Sequence, residues 1–334
     1  MRVLVTGGSG HLGANLVRRL LAEGQMVRVL AQRDSDNEAL RGLDLEWAWG
    51  DLRDRAAVDA AVRGVERIYH AAAKVSSAES QQQEIYECNV LGTRHVLDAA
   101  RRHGVRRAVV TGSFSAVGHL PDRPSDENVP VNPFAELLPY QRSKVAVEHE
   151  CLKAVVDGLD VVIATSCAIL GPHDYKPSRM GQLLLDFARG RLRAYIPGGF
   201  EFVAARDIVE GHRLAMDKGA TGQKYIFSSG FHTVDELMAM YEQVSGRRRP
   251  RLRLPPPLMA GIARVVDAVV TRVAPQVEPR FTSGAVRILR MGRRADITKA
   301  RTQLGFEPTP IANAVREAYD DFARRGLVLA RDHA

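Results

Sequence analysis

The chain opens on an apolar run, Arg2-Val3-Leu4-Val5-Thr6, passes through Gly7-Gly8-Ser9-Gly10, and then carries apolar residues at helical spacing from His11 to Glu23, ending at Gly24. A short β-branched run predicts a strand and the 3.6-residue period a helix, so the unit reads strand, turn, helix. The rhythm repeats, with strands over Val27–Ala31 and Leu45–Trp49, a helix over Ala56–Val62 and a strand over Arg67–Tyr69. A long helix is predicted from Gln83 to His103, stopped by Gly104, and then a strand over Ala108–Thr111. Pro121, Pro124, Pro130 and Pro133 make 114–139 a loop, and Pro139 suits the first turn of a helix over Tyr140–Val156, followed by a strand at Val161–Thr165.

This alternation predicts an α/β fold, a Rossmann-type doubly wound parallel sheet whose ligands sit beyond the carboxyl ends of its strands. After about residue 170 the rhythm loosens into shorter segments, among them Arg206–Asp217, Lys224–Ser228 and Val234–Ser245. The expected organisation is a dinucleotide-binding domain over 1–170, with a later stretch of about 200–230 returning to it, and a smaller α+β substrate-binding lobe over 171–334.

Composition narrows the classes. Hydrophobic residues at 45% and charged residues at 26% are ordinary for a globular protein. A net charge of +8 raises nucleic acid or an anionic surface as partners. Arginine is spread along most of the chain, and aromatic residues are 6% with no stacking platform, so no nucleic acid partner is expected. The exception is Arg247-Arg248-Arg249-Pro250-Arg251-Leu252-Arg253, which precedes an apolar stretch, Leu258–Val273. Such a segment either covers the substrate lobe with a solvated edge or touches a membrane peripherally. Cys88, Cys151 and Cys167 are widely spaced and the histidines show no ligand spacing, so neither a metal site nor a disulfide framework is expected. With no leader pattern and no apolar run of membrane-spanning length, a cytoplasmic location is expected.

Gly7, Gly10 and Gly13 form GxxGxxG, whose glycines permit a tight turn, backbone approach to a pyrophosphate and close helix packing. At this glycine content the bare pattern arises by chance in about one chain in five. Its place between the first strand and the first helix gives it meaning, with His11 and Leu12 completing the cradle. The second strand ends Leu30-Ala31-Gln32-Arg33 without a carboxylate to hold a ribose hydroxyl, and Arg33 can pair with a 2′-phosphate. NADP(H) is therefore favoured, with NAD(H) the alternative. Asp51 and Leu52, after the third strand, are candidates for the adenine edge.

Tyr140 and Lys144 lie four apart and so share a helix face. A phenol of pKa about 10 needs roughly 4 kcal/mol of differential stabilisation to work as phenolate at neutral pH, which a nearby ammonium can help supply. Thr111-Gly112-Ser113-Phe114-Ser115 ends the preceding strand, where hydroxyls can meet a substrate oxygen. Glycine turn, serine and Tyr/Lys pair in this order point to hydride transfer between a nicotinamide and an alcohol or ketone.

TGGSGHLG at 6–13, GDL at 50–52, HAAA at 70–73, YECNVLGT at 86–93, TGSFSAVG at 111–118, YQRSK at 140–144 and Gly171-Pro172 resemble the extended short-chain dehydrogenase/reductase family. The similarity is greatest to its dihydroflavonol 4-reductase and 3β-hydroxysteroid dehydrogenase branch, and to bacterial hopanoid-associated sugar epimerases. GPHDYKPSRMGQLLLDF, FVAARDIVEGH and KARTQLGFEPTP extend it over nearly the whole chain. The resemblance implies that Ser113 polarises a carbonyl, Tyr140 donates the proton, and Lys144 tunes Tyr140 and holds the nicotinamide ribose. It also implies that Ala71, Ala72, Ala73 and Asn89 line the cofactor, and that Ser166, Cys167, Ile169 and Ser178 flank the nicotinamide.

Two departures stand out. Gly112 replaces a family hydroxyl, for which Ser115 is the candidate substitute, and Thr165-Ser166-Cys167 replaces a Pro-Ser turn. The favoured reading is a ketone/alcohol oxidoreductase acting on a mid-sized lipophilic or aromatic substrate, with a homodimer allowed by the family. The alternatives are a nucleotide-sugar epimerase/dehydratase, for which Arg179 and Arg206 are candidate diphosphate contacts, and a non-catalytic dinucleotide sensor.

Overall fold

The computed structural model describes residues 1–132, 134–255 and 283–329, with side chains of the last stretch described from 287. The apolar stretch Leu258–Val273 lies outside the described residues. In chain order the strands are β1 (Arg2–Thr6), β2 (Met26–Ala31), β3 (Glu46–Trp49), β4 (Arg67–His70), β5 (Arg107–Ser113), β6 (Val161–Ser166), β7 (Ala168–Leu170), β8 (Ala194–Tyr195), β9 (Gly199–Ala204), β10 (Lys224–Phe227), β11 (Gly230–Thr233) and β12 (Leu252–Arg253). Seven of them form a parallel sheet in the order β3-β2-β1-β4-β5-β6-β10, so the chain reverses direction across the sheet between β1 and β4. This is the doubly wound Rossmann arrangement, and that reversal leaves a crevice at the carboxyl ends of the strands.

The sheet is buried on both faces, which is why β1 reads as an unbroken apolar run. Val3 and Val5 pack on the side of the helices His11–Ala22 and Ala205–Lys218, whereas Leu4 packs on the opposite side with Val96, Val147 and Ile163. A second sheet, β11-β9-β7, and the short pair β12-β8 are built from the chain after residue 167. The core there gathers Phe187, Phe202, Tyr241 and Phe322.

The predicted Gln83–His103 helix is interrupted. Gln82–Ile85 runs into a wider π-turn at Tyr86–Leu91 before continuing as Gly92–Arg102. The helix Pro139–Val156 starts on the predicted proline, and the Gln141 side chain accepts the Leu138 N–H at 3.0 Å. No described helix is long and apolar enough to cross a membrane.

Candidate active site

The glycine turn sits at the β1/β4 crevice. Gly7 adopts φ +73°, and a Cβ there would lie 2.6 Å from the backbone of Ala72. A Cβ on Gly13 would run into the Gly7 carbonyl oxygen. Both positions therefore exclude any side chain, one through conformation and the other through close helix packing. Gly10 begins the helix His11–Ala22 without a side-chain cap, leaving its amide end directed at the turn. Leu12 is buried beneath the turn. The His11 side chain points elsewhere: its Nε2–H donates to the carbonyls of Gly171 at 3.2 Å and Pro172 at 3.1 Å. It ties the first helix to the loop after β7, and Asn15 adds a 2.8 Å bond to Pro172.

Beneath the crevice lies a buried polar chain that the sequence did not reveal. His70 Nδ1 meets Thr6 Oγ1 at 2.7 Å and its Nε2 meets Thr93 Oγ1 at 2.9 Å. Burial, with Lys144 nearby, depresses His70 to about 3, so the ring is neutral. The Ala71 N–H donates to the Thr6 carbonyl at 3.2 Å, which starts the Ala71-Ala72-Ala73 segment along the crevice.

Asn89, carried inward by the π-turn, is 1% exposed and bonded on all sides. It accepts from the Lys74 N–H at 2.7 Å and donates to the Lys74 carbonyl at 3.0 Å and to Ser143 Oγ at 2.9 Å. It thereby latches the strand end after β4 to the Tyr140 helix.

At the adenosine end, Arg33 lies with its guanidinium 4.8 Å from the Trp49 ring centre, and Trp49 stacks on Trp47 at 4.7 Å. Lys176, from the loop after β7, reaches Ser35 Oγ at 2.8 Å and adds a second cation beyond the end of β2. Asp51 is held by Arg53 at 2.7 Å and by Gln32, and the Arg53 bond keeps its carboxyl below the usual range. Leu52 is buried and its carbonyl accepts from His95 Nδ1 at 2.9 Å.

The proposed chemistry converges at the ends of β5 and β6. Tyr140 is half-buried; burial pushes the phenol up, and the nearby Ser113 hydroxyl partly offsets this. Ser115 Oγ lies 2.8 Å from Ser113 Oγ, bringing the expected substitute hydroxyl to the serine. Lys144 Nζ donates to the Thr111 carbonyl at 2.8 Å, and its buried ammonium is lowered to about 8. Its Nζ lies 5.9 Å from the Tyr140 ring centre.

Of the hydroxyls in the segment 111–115, that of Thr111 points away from Ser113. It donates to His212 Nε2 at 2.8 Å, while His212 Nδ1–H donates to the Ile208 carbonyl at 2.7 Å, so Thr111 braces the strand from behind. Burial lowers His212 to about 4 and keeps it neutral. Gly112 has a local reason too. A Cβ there would lie 2.8 Å from Ile163 and 2.9 Å from Thr165 Oγ1, the residue paired with it across β6. The Thr165 side chain occupies the room that a hydroxyl at 112 would need.

Ser166 pairs in register with Ser113, which brings the segment after β6 to the serine. Ser166 Oγ donates to the Cys167 carbonyl at 2.9 Å, Cys167 is buried, and Ile169 is paired within β7 and β9. Ser178 caps the helix Arg179–Ala188, accepting from Gly181 and donating to Asp174 at 2.7 Å. Arg179 donates to Ser77 at 3.1 Å and Arg206 is paired with Glu317. In the basic run, Arg247 donates to the Ala188 carbonyl, Arg249 pairs with Glu242, and Arg253 with Asp235.

A family model for the NAD dependent epimerase/dehydratase family matches residues 3–228. Sterol demethylase protein B from Methylococcus capsulatus is 46% identical over 98% of this chain and 100% of its own. A 3 beta-hydroxysteroid dehydrogenase/Delta 5→4-isomerase from Mycobacterium tuberculosis is 31% identical over 92% of this chain and 86% of its own. Among solved structures, that of gox2253 superposes with a TM-score of 0.85 at 31% identity, covering 98% of this chain and 99% of that one.

Proposed function

Because the chain belongs to the NAD dependent epimerase/dehydratase family, we propose that it is an NADP(H)-dependent oxidoreductase interconverting a secondary alcohol and a ketone on a mid-sized, largely apolar substrate. The observation that carries this reading is the Ser113 hydroxyl, bonded to Ser115 and set near the Tyr140 phenol, with Lys144 four residues on along the same helix.

The cradle fits a dinucleotide, since Gly7 and Gly13 leave room for no side chain and the helix start at Gly10 presents uncapped amides. When bound, the nicotinamide supplies or takes up the hydride at the substrate carbon. Ser113 and Tyr140 hold the substrate oxygen by hydrogen bonds. In reduction the Tyr140 hydroxyl gives its proton to that oxygen; in oxidation it takes the proton back. A buried phenol with a raised pKa is in its acid form at neutral pH, ready for the donating step. Lys144, lowered to about 8, is mostly charged at pH 7 and favours negative charge on the phenol oxygen as the proton leaves.

Arg33, with Lys176 beside Ser35, supports preference for a 2′-phosphate. The engagement of Arg179 with Ser77 and of Arg206 with Glu317 argues against a sugar-diphosphate site built on these two arginines. The relatives named for sterol demethylation and 3 beta-hydroxysteroid dehydrogenation support a ring-bearing apolar substrate.

The test is to mix the purified protein with NADPH and a panel of aryl, alkyl and steroid-like ketones, and with NADP⁺ and the matching alcohols. Loss or gain of nicotinamide absorbance with some members is expected. Turnover of UDP- or GDP-sugars without added cofactor, with NAD released on denaturation, overturns the reading.

A further inference from the structure

The turn that follows Ser113 is held from a distant part of the chain. Phe114–Ala116 forms a single tight turn, and the carbonyls of Phe114, Val117 and Gly118 emerge from it into a mostly buried setting. Arg293 Nη2 donates to all three, at 3.0 Å to Phe114, 3.4 Å to Gly118 and more closely to Val117. The guanidinium also lies 4.8 Å from the Phe114 ring centre.

The backbone around Arg293 is stitched to the same region. The Arg294 carbonyl accepts from Ser125 N–H at 2.8 Å, and Asp296 N–H donates to the Ser125 carbonyl at 3.0 Å. The Ala295 N–H donates to Glu201 Oε1 at 2.8 Å, anchoring the segment to β9. Arg293 therefore arrives in a fixed position rather than on a loose loop. Among the described residues it has no ion pair with a carboxylate, and the same guanidinium helps lower the nearby His119.

We propose that Arg293 is a positioning residue for Ser113: it clamps the Phe114–Gly118 turn, so that Ser113 and Ser115 face Tyr140 in the geometry needed to hold the substrate oxygen. This rests on the reading of Ser113 and Tyr140 as catalytic. The Phe114 carbonyl keeps the Val117 N–H at 3.2 Å, but the Val117 and Gly118 carbonyls lose their shared donor and are costly to leave unpaired, so the turn relaxes when the guanidinium is removed. Displacement of a reacting group by about 1 Å can cost on the order of 100-fold in rate. Lysine retains the charge but, as a compact ammonium, lacks the planar fork that spans several acceptors.

Arg293→Met and Arg293→Lys are compared with wild type and with Ser113→Ala, using a ketone the wild type reduces. For Arg293→Met, kcat should fall about 100-fold, while the NADPH dissociation constant and the ketone KM stay within about twofold. Arg293→Lys should recover about tenfold of that loss, and it covers the case in which the methionine variant does not fold. In the Ser113→Ala background, Arg293→Met should cost almost nothing more, because the group it positions is gone. Multiplicative losses in that double variant overturn the proposal. Hydrogen exchange without substrate supplies a readout that needs no turnover: amides of 114–118 should exchange faster in the variant, and unchanged exchange also overturns the clamp. A wild type that reduces no ketone defeats the functional reading, while the exchange experiment still decides the role of Arg293.

Discussion

The two ends of the crevice are built differently. At the proposed cofactor end, the glycine turn rests on backbone and on the buried Thr6–His70–Thr93 chain from the first strands and helices of the sheet, with His11 and Lys176 making the longer-range ties to and from the loop after β7. At the proposed substrate end, the turn after Ser113 meets remote parts of the chain, among them Arg293, which bonds Val117 across 176 residues. Thr6 and His70, by comparison, are 64 apart and lie on adjacent parallel strands. At Gly7 and Gly13 backbone meets backbone, so a side chain at either position collides. The substrate end is held by side chains that can be exchanged, which lets one scaffold serve different substrates.

The sharpest way to separate the two ends is Tyr140→Phe. Loss of the proton donor should cost turnover about 1,000-fold, with NADPH affinity measured by fluorescence titration nearly unchanged. A comparable loss of affinity would mean that the two ends are not independent. Gly13→Ala makes the converse break: its methyl collides with the Gly7 carbonyl, and cofactor affinity should fall about 100-fold, read by the same titration.

Acid should loosen the floor shared by both ends. His70 and His212 have folded pKa values lowered from 6.5 to about 3 and about 4, so unfolding takes up protons below pH 6.5. Their stabilising contribution is fully present above pH 6.5 and is lost as pH falls toward the folded values. Together they should remove about 2 kcal/mol between pH 6.5 and 5.5. Urea unfolding at several pH values measures this slope, and His70→Gln should flatten it; an unchanged slope would place the acid sensitivity elsewhere. The smallest expected effect is at the adenosine rim. Arg33→Ala should weaken NADPH about tenfold and leave NADH unchanged, and equal losses for both cofactors would remove Arg33 as the discriminating residue.

The order of strands, helices and motifs was legible because each signal is local. The GxxGxxG turn follows β1 and opens its helix, and Tyr140 and Lys144 lie one helical turn apart. The interruption at Tyr86–Leu91 is not legible, because a π-turn adds one residue to a single turn and shifts which residue faces inward, with no local residue pattern marking the place. Which hydroxyl of Thr111-Gly112-Ser113-Phe114-Ser115 turns away from the crevice is not legible either, and it is that of Thr111. Its direction depends on His212, which follows it by 101 residues and packs against the back of the sheet. His11 and Ser178 likewise fall where the motif puts them in the chain, but their side chains serve the loop after β7 and the next helix cap.

The parallel sheet, the tight glycine turn and the shared helix face of Tyr140 and Lys144 follow from the sequence alone, because periodicity, glycine placement and helical spacing act over a few residues. The tertiary structure alone decided which hydroxyls and cations meet there. Thr165 fills the space at Gly112, Lys176 reaches Ser35, and Arg293 closes on the turn after Ser113. Those contacts join residues that no local pattern couples, the first across neighbouring strands of the sheet and the other two between segments more than 140 residues apart.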